Sequence, residues 1–142
     1  MKMTEERTLI LIKPDGVVAG HIGEIIARIE RKGYQIAALK VTEATDEKLK
    51  AHYSEKIDQP YFGDIESYMK EGPLVAMIAT GVNIIQAFHK MAGKTNPTEA
   101  APGTIRGDFG HESTDGNLRN VVHSSDSVAA AEKEIKIWFP EL

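Results

Sequence analysis

The stretch "NVVHSSD", residues 120–126, sets a histidine between two valines and a polar cluster. Around His123 stand groups with chemical uses: Asn120 three residues before it, Ser125 and Asp126 just after it, and Glu134 farther along an apolar-periodic segment. Ser125 and Asp126 read as a helix start, where free backbone N–H groups and the helix dipole favour an anion. On a helical wheel Glu134 falls between Ala130 and Trp138, at the margin of the apolar face, where a carboxylate is partly desolvated. One way to satisfy it is to accept the N–H of an imidazole. Such a bond would fix the tautomer of His123 and leave the other ring nitrogen free to attack. Taken alone, the same pattern is also that of a helix-capping loop with a passing histidine.

Other residues could serve the same chemistry. Arg106, in "PGTIRGDF" (102–109), is a natural phosphate clamp, because a planar guanidinium bonds two oxygens at once; the plain alternative is a loop arginine paired with Asp108. Lys13, before Pro14-Asp15-Gly16, could reach into a cleft at a strand end or remain a surface lysine. Tyr61 and Phe62 could stack on a nucleobase, although core packing is the commoner fate of such rings. His21, His52 and His111 default to surface residues, and no histidine pair shows the spacing of a structural zinc site. Neither a Gly-x-x-x-x-Gly-Lys-Ser/Thr nor a Gly-x-Gly-x-x-Gly loop is present, so any nucleotide must be held in another way. The Arg-Gly-Asp tripeptide is too short to argue for cell adhesion.

The elements that must position these groups follow from periodicity. "TLILIK" (8–13) is a continuous apolar run closed by "PDG", the mark of a central strand buried on both faces with Lys13 at its carboxyl end. "IGEIIARIERKG" spaces Ile22, Ile25, Ile26 and Ile29 as a helix that Gly33 can cap. "YQIAALKV" (34–41) reads as a second strand. Two short helical patterns follow, one carrying Leu49 and Tyr53 and one carrying Phe62, Ile65 and Met69, stopped by Gly72-Pro73. "LVAMIAT" (74–80) is a third strand, and Ile84, Ile85, Phe88 and Ala92 mark a helix after it. Residues 93–119 show no sustained period, and long irregular segments in compact domains tend to be functional. "NVV" (120–122) is a short strand, and Val128, Ala131, Ile135 and Trp138 line a final helix. The predicted fold is α+β, a ferredoxin-like split βαβ sandwich: a four-stranded antiparallel sheet covered by helices, with an inserted helical pair and a long active-site loop.

A chain of 142 residues is the size of one domain, so residues 1–142 are read as a single unit. A net charge of -4 gives no general footprint for nucleic acid or an anionic membrane, so phosphate binding has to be local. The absence of cysteine excludes disulfides, thiolate metal sites and a cysteine nucleophile, and fits a reducing compartment. The charged start "MKMTEERTLILIKPDG" lacks the apolar core of a signal peptide, which makes a soluble cytoplasmic protein the default.

"LIKPDGV", "HY" followed by "PYF", "TNP", "PGTIRGDF", "NVVHSSDS" and "EIKIWF" together resemble nucleoside diphosphate kinase, in order and approximate spacing, over nearly the whole chain. The resemblance implies a phosphotransferase that moves the γ-phosphate of a nucleoside triphosphate to a nucleoside diphosphate in two half-reactions, sustaining NTP and dNTP pools with broad base and sugar tolerance. By the same resemblance His123 is the histidine that becomes phosphorylated, Glu134 orients its ring, and Ser125 is the serine beside it. Lys13 and Asn120 match residues that bond the ribose hydroxyls, and Tyr53 one that approaches the transferred phosphate. Thr95 and Arg106 match phosphate ligands, and Tyr61 and Ile65 the base-stacking aromatic and its apolar neighbour. Mg²⁺ would come with the nucleotide phosphates and have no direct protein ligand, with a water route to Asp126. The family forms dimers that assemble into tetramers or hexamers, and neither nucleic acid nor membrane is an expected partner.

The chain departs from the family pattern in three places. His89 stands where a second phosphate-binding arginine is usual; it is kept among the nucleotide-binding residues with weaker binding expected, recovering as pH falls toward 6. Ser124 replaces a usual glycine and puts the local backbone angle in question. The segment from Arg106 to Asn120 is longer by a few residues, and the extra length is expected at the surface. The rival readings are a nucleotide sensor with His123 as a mere ligand, a phosphohistidine carrier, and an RNA-binding module, the last lacking a basic surface.

Overall fold

The computed structural model describes residues 3–142; Met1 and Lys2, part of the charged start, lie outside the described residues. Four antiparallel strands, β1 (Glu5–Ile12), β2 (Gln35–Thr42), β3 (Leu74–Val82) and β6 (Val122–Ser124), form one sheet in the order β2-β3-β1-β6. This is the ferredoxin-like arrangement expected from the sequence. Strand β1 lies inside the sheet, and side-chain alternation divides it between two cores. Ile10 and Ile12 join Ile25 and Ile29 of α2 (Ile22–Arg31) and Phe88 of α5 (Ile84–Ala92) on one face. Leu9 and Leu11 face the other way, toward Leu49 of α3 (Asp46–His52), Met69 of α4 (Phe62–Met69), and Ile135 and Trp138 of α7 (Val128–Trp138). Burial on both faces explains why β1 has no polar alternation over residues 9–12.

Helix ends follow local chemistry. Gly33, at φ +98°, stops α2 in the left-handed region that glycine reaches without a Cβ penalty. Thr45 and Ser127 cap α3 and α7 with their own hydroxyls, accepting the N–H groups of Lys48 and Ala130 at 3.2 and 3.0 Å. The cap of α7 is therefore Ser127, two residues later than the start read at Ser125; Ser125 and Asp126 belong to the connection from β6, and the anion-favouring helix end is not theirs.

The remaining differences from the sequence reading have local causes. "PDG" closes β1 by opening a short helix not read in the sequence, α1 (Pro14–Val18), whose fixed proline φ suits a first helical turn. Residues 93–119 contain a five-residue helix, α6 (Ile105–Phe109), and a hairpin of β4 (His111–Glu112) and β5 (Leu118–Arg119), pieces too short to show a period. The strand read at "NVV" runs from Val122 to Ser124 instead, because Val121 has φ +71° and cannot belong to a pleated strand.

That strained valine has a partner. A Cβ on Gly16 would come within 2.9 Å of Val121 Cγ1 and 3.0 Å of Ile12 Cγ2, so only glycine lets α1 sit this close. Asp15 completes the joint by accepting the Val121 N–H at 3.2 Å and the Tyr68 hydroxyl at 2.6 Å, while the Lys13 N–H donates to the Val121 carbonyl at 2.7 Å. "KPDG" thus docks the segment that carries Asn120 and His123 onto the end of the central strand.

Candidate active site

A cavity of about 580 Å³ opens beside β6. Lys13, Tyr53, Tyr61, Ile65, His89, Thr95, Arg106, Asn120 and His123 all line it, although they come from seven separate stretches of chain. Glu134 and Ser125 stand behind the histidine, not in the cavity wall.

His123 is the middle residue of β6 and pairs with Leu11, so its ring lies on the sheet face covered by α3 and α7. Its Nε2 is 2.8 Å from Glu134 Oε1, so in the tautomer where Nε2 donates, the lone pair of Nδ1 is free. The same Glu134 oxygen accepts the Ser125 hydroxyl at 2.8 Å, and Ser125 Oγ accepts the Leu9 N–H at 3.0 Å. This relay runs from the central strand through a fully buried serine to the carboxylate and then to the imidazole. Ser125 therefore acts by fixing Glu134. Burial pushes the Glu134 carboxyl above its ordinary value. Burial, helped by Lys13 and Arg106, holds His123 down to about 3, so the ring is neutral at pH 7 and its lone pair is available.

Lys13 caps α1 and points its ammonium at Asn120 Oδ1, 2.7 Å away. Burial and the nearby Arg106 guanidinium lower it to about 7, with Asp15 opposing. The Asn120 amide in turn donates to the Thr95 carbonyl at 3.2 Å, tying the loop after α5 to the strand. Arg106 does not pair with Asp108, whose partner is Arg28 at 2.7 Å. Instead it donates to the carbonyls of Gly93, Asn120 and Val122 at 2.9, 3.2 and 2.7 Å, which holds a positive charge in place without neutralising it. Burial lowers its pKa from the usual guanidinium value. Tyr53, at the end of α3, has its hydroxyl pushed up by burial and by Glu134, so it stays a proton donor at neutral pH. Tyr61 is 45% exposed at the start of α4, open enough to receive a flat partner, and Ile65 lies one turn on.

The departures resolve individually. Ser124 sits in extended backbone within β6, so the glycine usual at this position is not demanded by a left-handed angle here. His89 is in the wall, 3.6 Å from the exposed carboxylate of Asp126. The longer segment after Arg106 lies at the surface, with no buried residue from His111 to Arg119, and its hairpin tip, Gly116, Asn117 and Leu118, also borders the cavity. Arg119 anchors that hairpin through Glu71 and, at 3.1 Å, Asp115.

Sequence reasoning missed His52, which is buried and not at the surface; it meets the His123 ring edge-on at 4.3 Å between centroids. Its place in "HY", one residue before Tyr53, was the available signal. Asp15 and Gly16 were quoted in a motif but given no role of their own. His21 stacks on Phe109 and His111 lies in exposed β4, both away from the cavity.

A neutral, oriented imidazole with a free nitrogen, facing a cavity lined by Lys13, Lys56, Lys94 and Arg106, is arranged for nucleophilic attack on a polyanion. The sequence profile of nucleoside diphosphate kinase matches residues 6–142. The chain belongs to the nucleoside diphosphate kinase family. Among its relatives are the nucleoside diphosphate kinases of Corynebacterium efficiens, 54% identical over 138 residues (96% of this chain, 98% of that one), and Nocardia farcinica, 51% identical over 137 (96% of each). Solved nucleoside diphosphate kinases share the fold. The Halobacterium salinarum enzyme, determined in complex with CDP, superposes with a TM-score of 0.89 at 37% identity, covering 96% of this chain and 88% of that one. The apo enzyme of Encephalitozoon cuniculi gives 0.86 at 40%, covering 94% and 88%. Nucleoside diphosphate kinases are phosphotransferases that pass phosphate between nucleoside tri- and diphosphates, and the sensor, carrier and RNA-binding readings fall with that identification.

Proposed function

We propose that this nucleoside diphosphate kinase works through a phosphohistidine at His123. The observation that carries the reading is the fixed ring: Glu134 holds Nε2, and Nδ1 is left as the nucleophile beside the cationic cavity. In the first half-reaction the Nδ1 lone pair attacks the γ-phosphorus, the bond from phosphorus to the bridging oxygen breaks, and the nucleoside diphosphate leaves with that electron pair. The ring becomes cationic, and the Glu134 carboxylate stabilises it through the Nε2 proton. In the second, a terminal oxygen of the incoming diphosphate attacks the same phosphorus and the P–N bond breaks, returning the neutral ring. Arg106 and Thr95 meet the phosphates, with His89 beside them. The Tyr53 hydroxyl lies near the transferred group. Lys13 and Asn120 take the ribose hydroxyls, and Tyr61 and Ile65 receive the base. Contacts of that kind tolerate purines, pyrimidines, ribose and deoxyribose.

Kinases of this family use a divalent metal. We assign Mg²⁺, entering with the nucleotide. Among the described residues the cavity presents only Asp64 and Asp126 as carboxylates against several cations, a lining that suits a metal-bound polyanion better than a bare ion. Asp126 would meet it through water. When bound, the ion neutralises the phosphate oxygens.

We further read residues 1–142 as one catalytic domain, cytoplasmic, acting as a homo-oligomer. None of the described helices is long and apolar enough to cross a membrane. β2 is an edge strand that exposes Leu39 and Val41, which supports pairing with a second copy. Initial rates with ATP and a varied diphosphate acceptor test the two-step reading. Parallel double-reciprocal lines are expected, and intersecting lines in every acceptor series would exclude it.

A further inference from the structure

His52 and His123 form a pair whose purpose is not explained by phosphoryl transfer alone. One nitrogen of each and an oxygen of Glu134 lie within 4.8 Å of one another. Two imidazoles and a carboxylate are a donor set that zinc accepts. A tetrahedral ion with bonds of ~2.0–2.1 Å needs its ligand atoms roughly 3.4 Å apart, a modest contraction of this cluster. An ion bound here would compete for the His123–Glu134 hydrogen bond that fixes the ring.

Trp138 prevents this. Its indole N–H, on a fully buried ring of α7, donates to His52 Nδ1 at 2.9 Å. An indole can only donate, so Nδ1 must be the accepting nitrogen, and in a neutral imidazole the single proton then sits on Nε2. The ring is neutral, because burial, followed by the neighbouring His123, holds His52 to about 3. One nitrogen of His52 has its lone pair engaged by the indole, and the other has none to offer. Moving the proton to Nδ1 would set two N–H groups against each other in a buried space.

We propose that the Trp138–His52 hydrogen bond is a tautomer lock, which silences His52, stops the His52–His123–Glu134 cluster from chelating a divalent transition metal, and leaves His123 as the sole nucleophilic imidazole of the pair. The last clause rests on the phosphohistidine reading above. The test reads metal binding and proton position, which need no phosphoryl transfer, so the lock and that reading can fail separately.

Zinc binding to nucleotide-free protein is measured by calorimetry near neutral pH for the wild type, His52→Gln, Trp138→Phe and the Trp138→Phe/His52→Gln double variant. His21, His89 and His111 are common to all four, so their contributions cancel. Trp138→Phe is expected to gain a zinc site that the double variant lacks, at least about fivefold tighter than any in the wild type, the worth of one average hydrogen bond. Equal zinc binding by Trp138→Phe and the double variant would overturn the lock. So would a wild-type site that His52→Gln removes. Because loss of a buried indole can unfold the chain, a second measurement uses the wild type itself. Long-range ¹H–¹⁵N spectra of the imidazoles should show His52 protonated at Nε2 from pH 6 to pH 8, and protonation at Nδ1 would refute the proposal.

Discussion

If Lys13 meets the nucleotide as proposed, binding is coupled to proton uptake. Lys13 is 9% exposed, and burial with the nearby Arg106 lowers its ammonium to about 7. At pH 8 about nine-tenths of the free protein then carries a neutral Lys13, and at pH 6 about one-tenth. A nucleoside diphosphate brings negative charge into the cavity and favours the protonated amine, so the pKa rises on binding and a proton is taken up. The expected uptake by Lys13 is about 0.9 proton per site at pH 8, and its share falls toward about 0.1 at pH 6. The Lys13 linkage by itself weakens binding by about tenfold between pH 6 and pH 8, or about 1.4 kcal/mol, since at the higher pH protonation has to accompany binding. Ionisation of the ligand phosphate near pH ~6 offsets about a factor of two of it. At pH 8 the terminal phosphate of the ligand, with a second ionisation near ~6, is already fully charged and contributes no proton of its own. Calorimetry of ADP binding in HEPES and in Tris, which differ in ionisation enthalpy, yields the number of protons directly. Lys13→Met should abolish the uptake. Zero uptake or proton release at pH 8, or undiminished uptake in Lys13→Met, would refute the reasoning.

Glu134→Gln replaces a charge-assisted bond to His123 with a neutral one; kcat should fall roughly tenfold or more with KM little changed, and an unaltered kcat in steady-state assays would remove the carboxylate from the mechanism. Gly16→Ala forces a Cβ against Val121 and Ile12, so urea unfolding should show a loss of about 1–3 kcal/mol, together with a lower kcat because the displaced segment carries Asn120 and His123. A fully stable, fully active Gly16→Ala would contradict the docking role given to that glycine. His89→Arg adds a permanent charge at a side chain 40% exposed, so the gain belongs at the low end for a charged bond, about 1 kcal/mol or roughly fivefold in nucleotide KM. Equal KM values for the two proteins from pH 6 to pH 8 would mean that His89 does not meet the phosphates.

What the sequence made legible was the part that repeats. Buried strands and amphipathic helices declare themselves by period, and β1, α2, β3, α5 and α7 were found close to their observed bounds. The position of Glu134 on its helix was readable for the same reason, since a carboxylate at the edge of an apolar face demands a donor. The docking of Gly16 under Val121 was not readable, because it depends on a close approach between residues more than a hundred positions apart. Nor was the burial of His52, whose ring is held by Trp138 from the far end of the chain. The helix and hairpin of residues 105–119 are too short for any period, and Thr104, Asp115 and Arg119 hold them with individual hydrogen bonds. Lys13 could be placed at a strand end by pattern, but its lowered pKa arises only once Arg106 and the surrounding burial are assembled.

On the proposed mechanism His123 carries the phosphoryl group between nucleotides. Purified protein is incubated with γ-labelled ATP and Mg²⁺, beside His123→Ala, and the label on the protein is tested for acid lability and for discharge by GDP. The account predicts acid-labile label on the wild type alone, transferred to GDP as labelled GTP. Labelled GTP formed at wild-type rates by His123→Ala would contradict it.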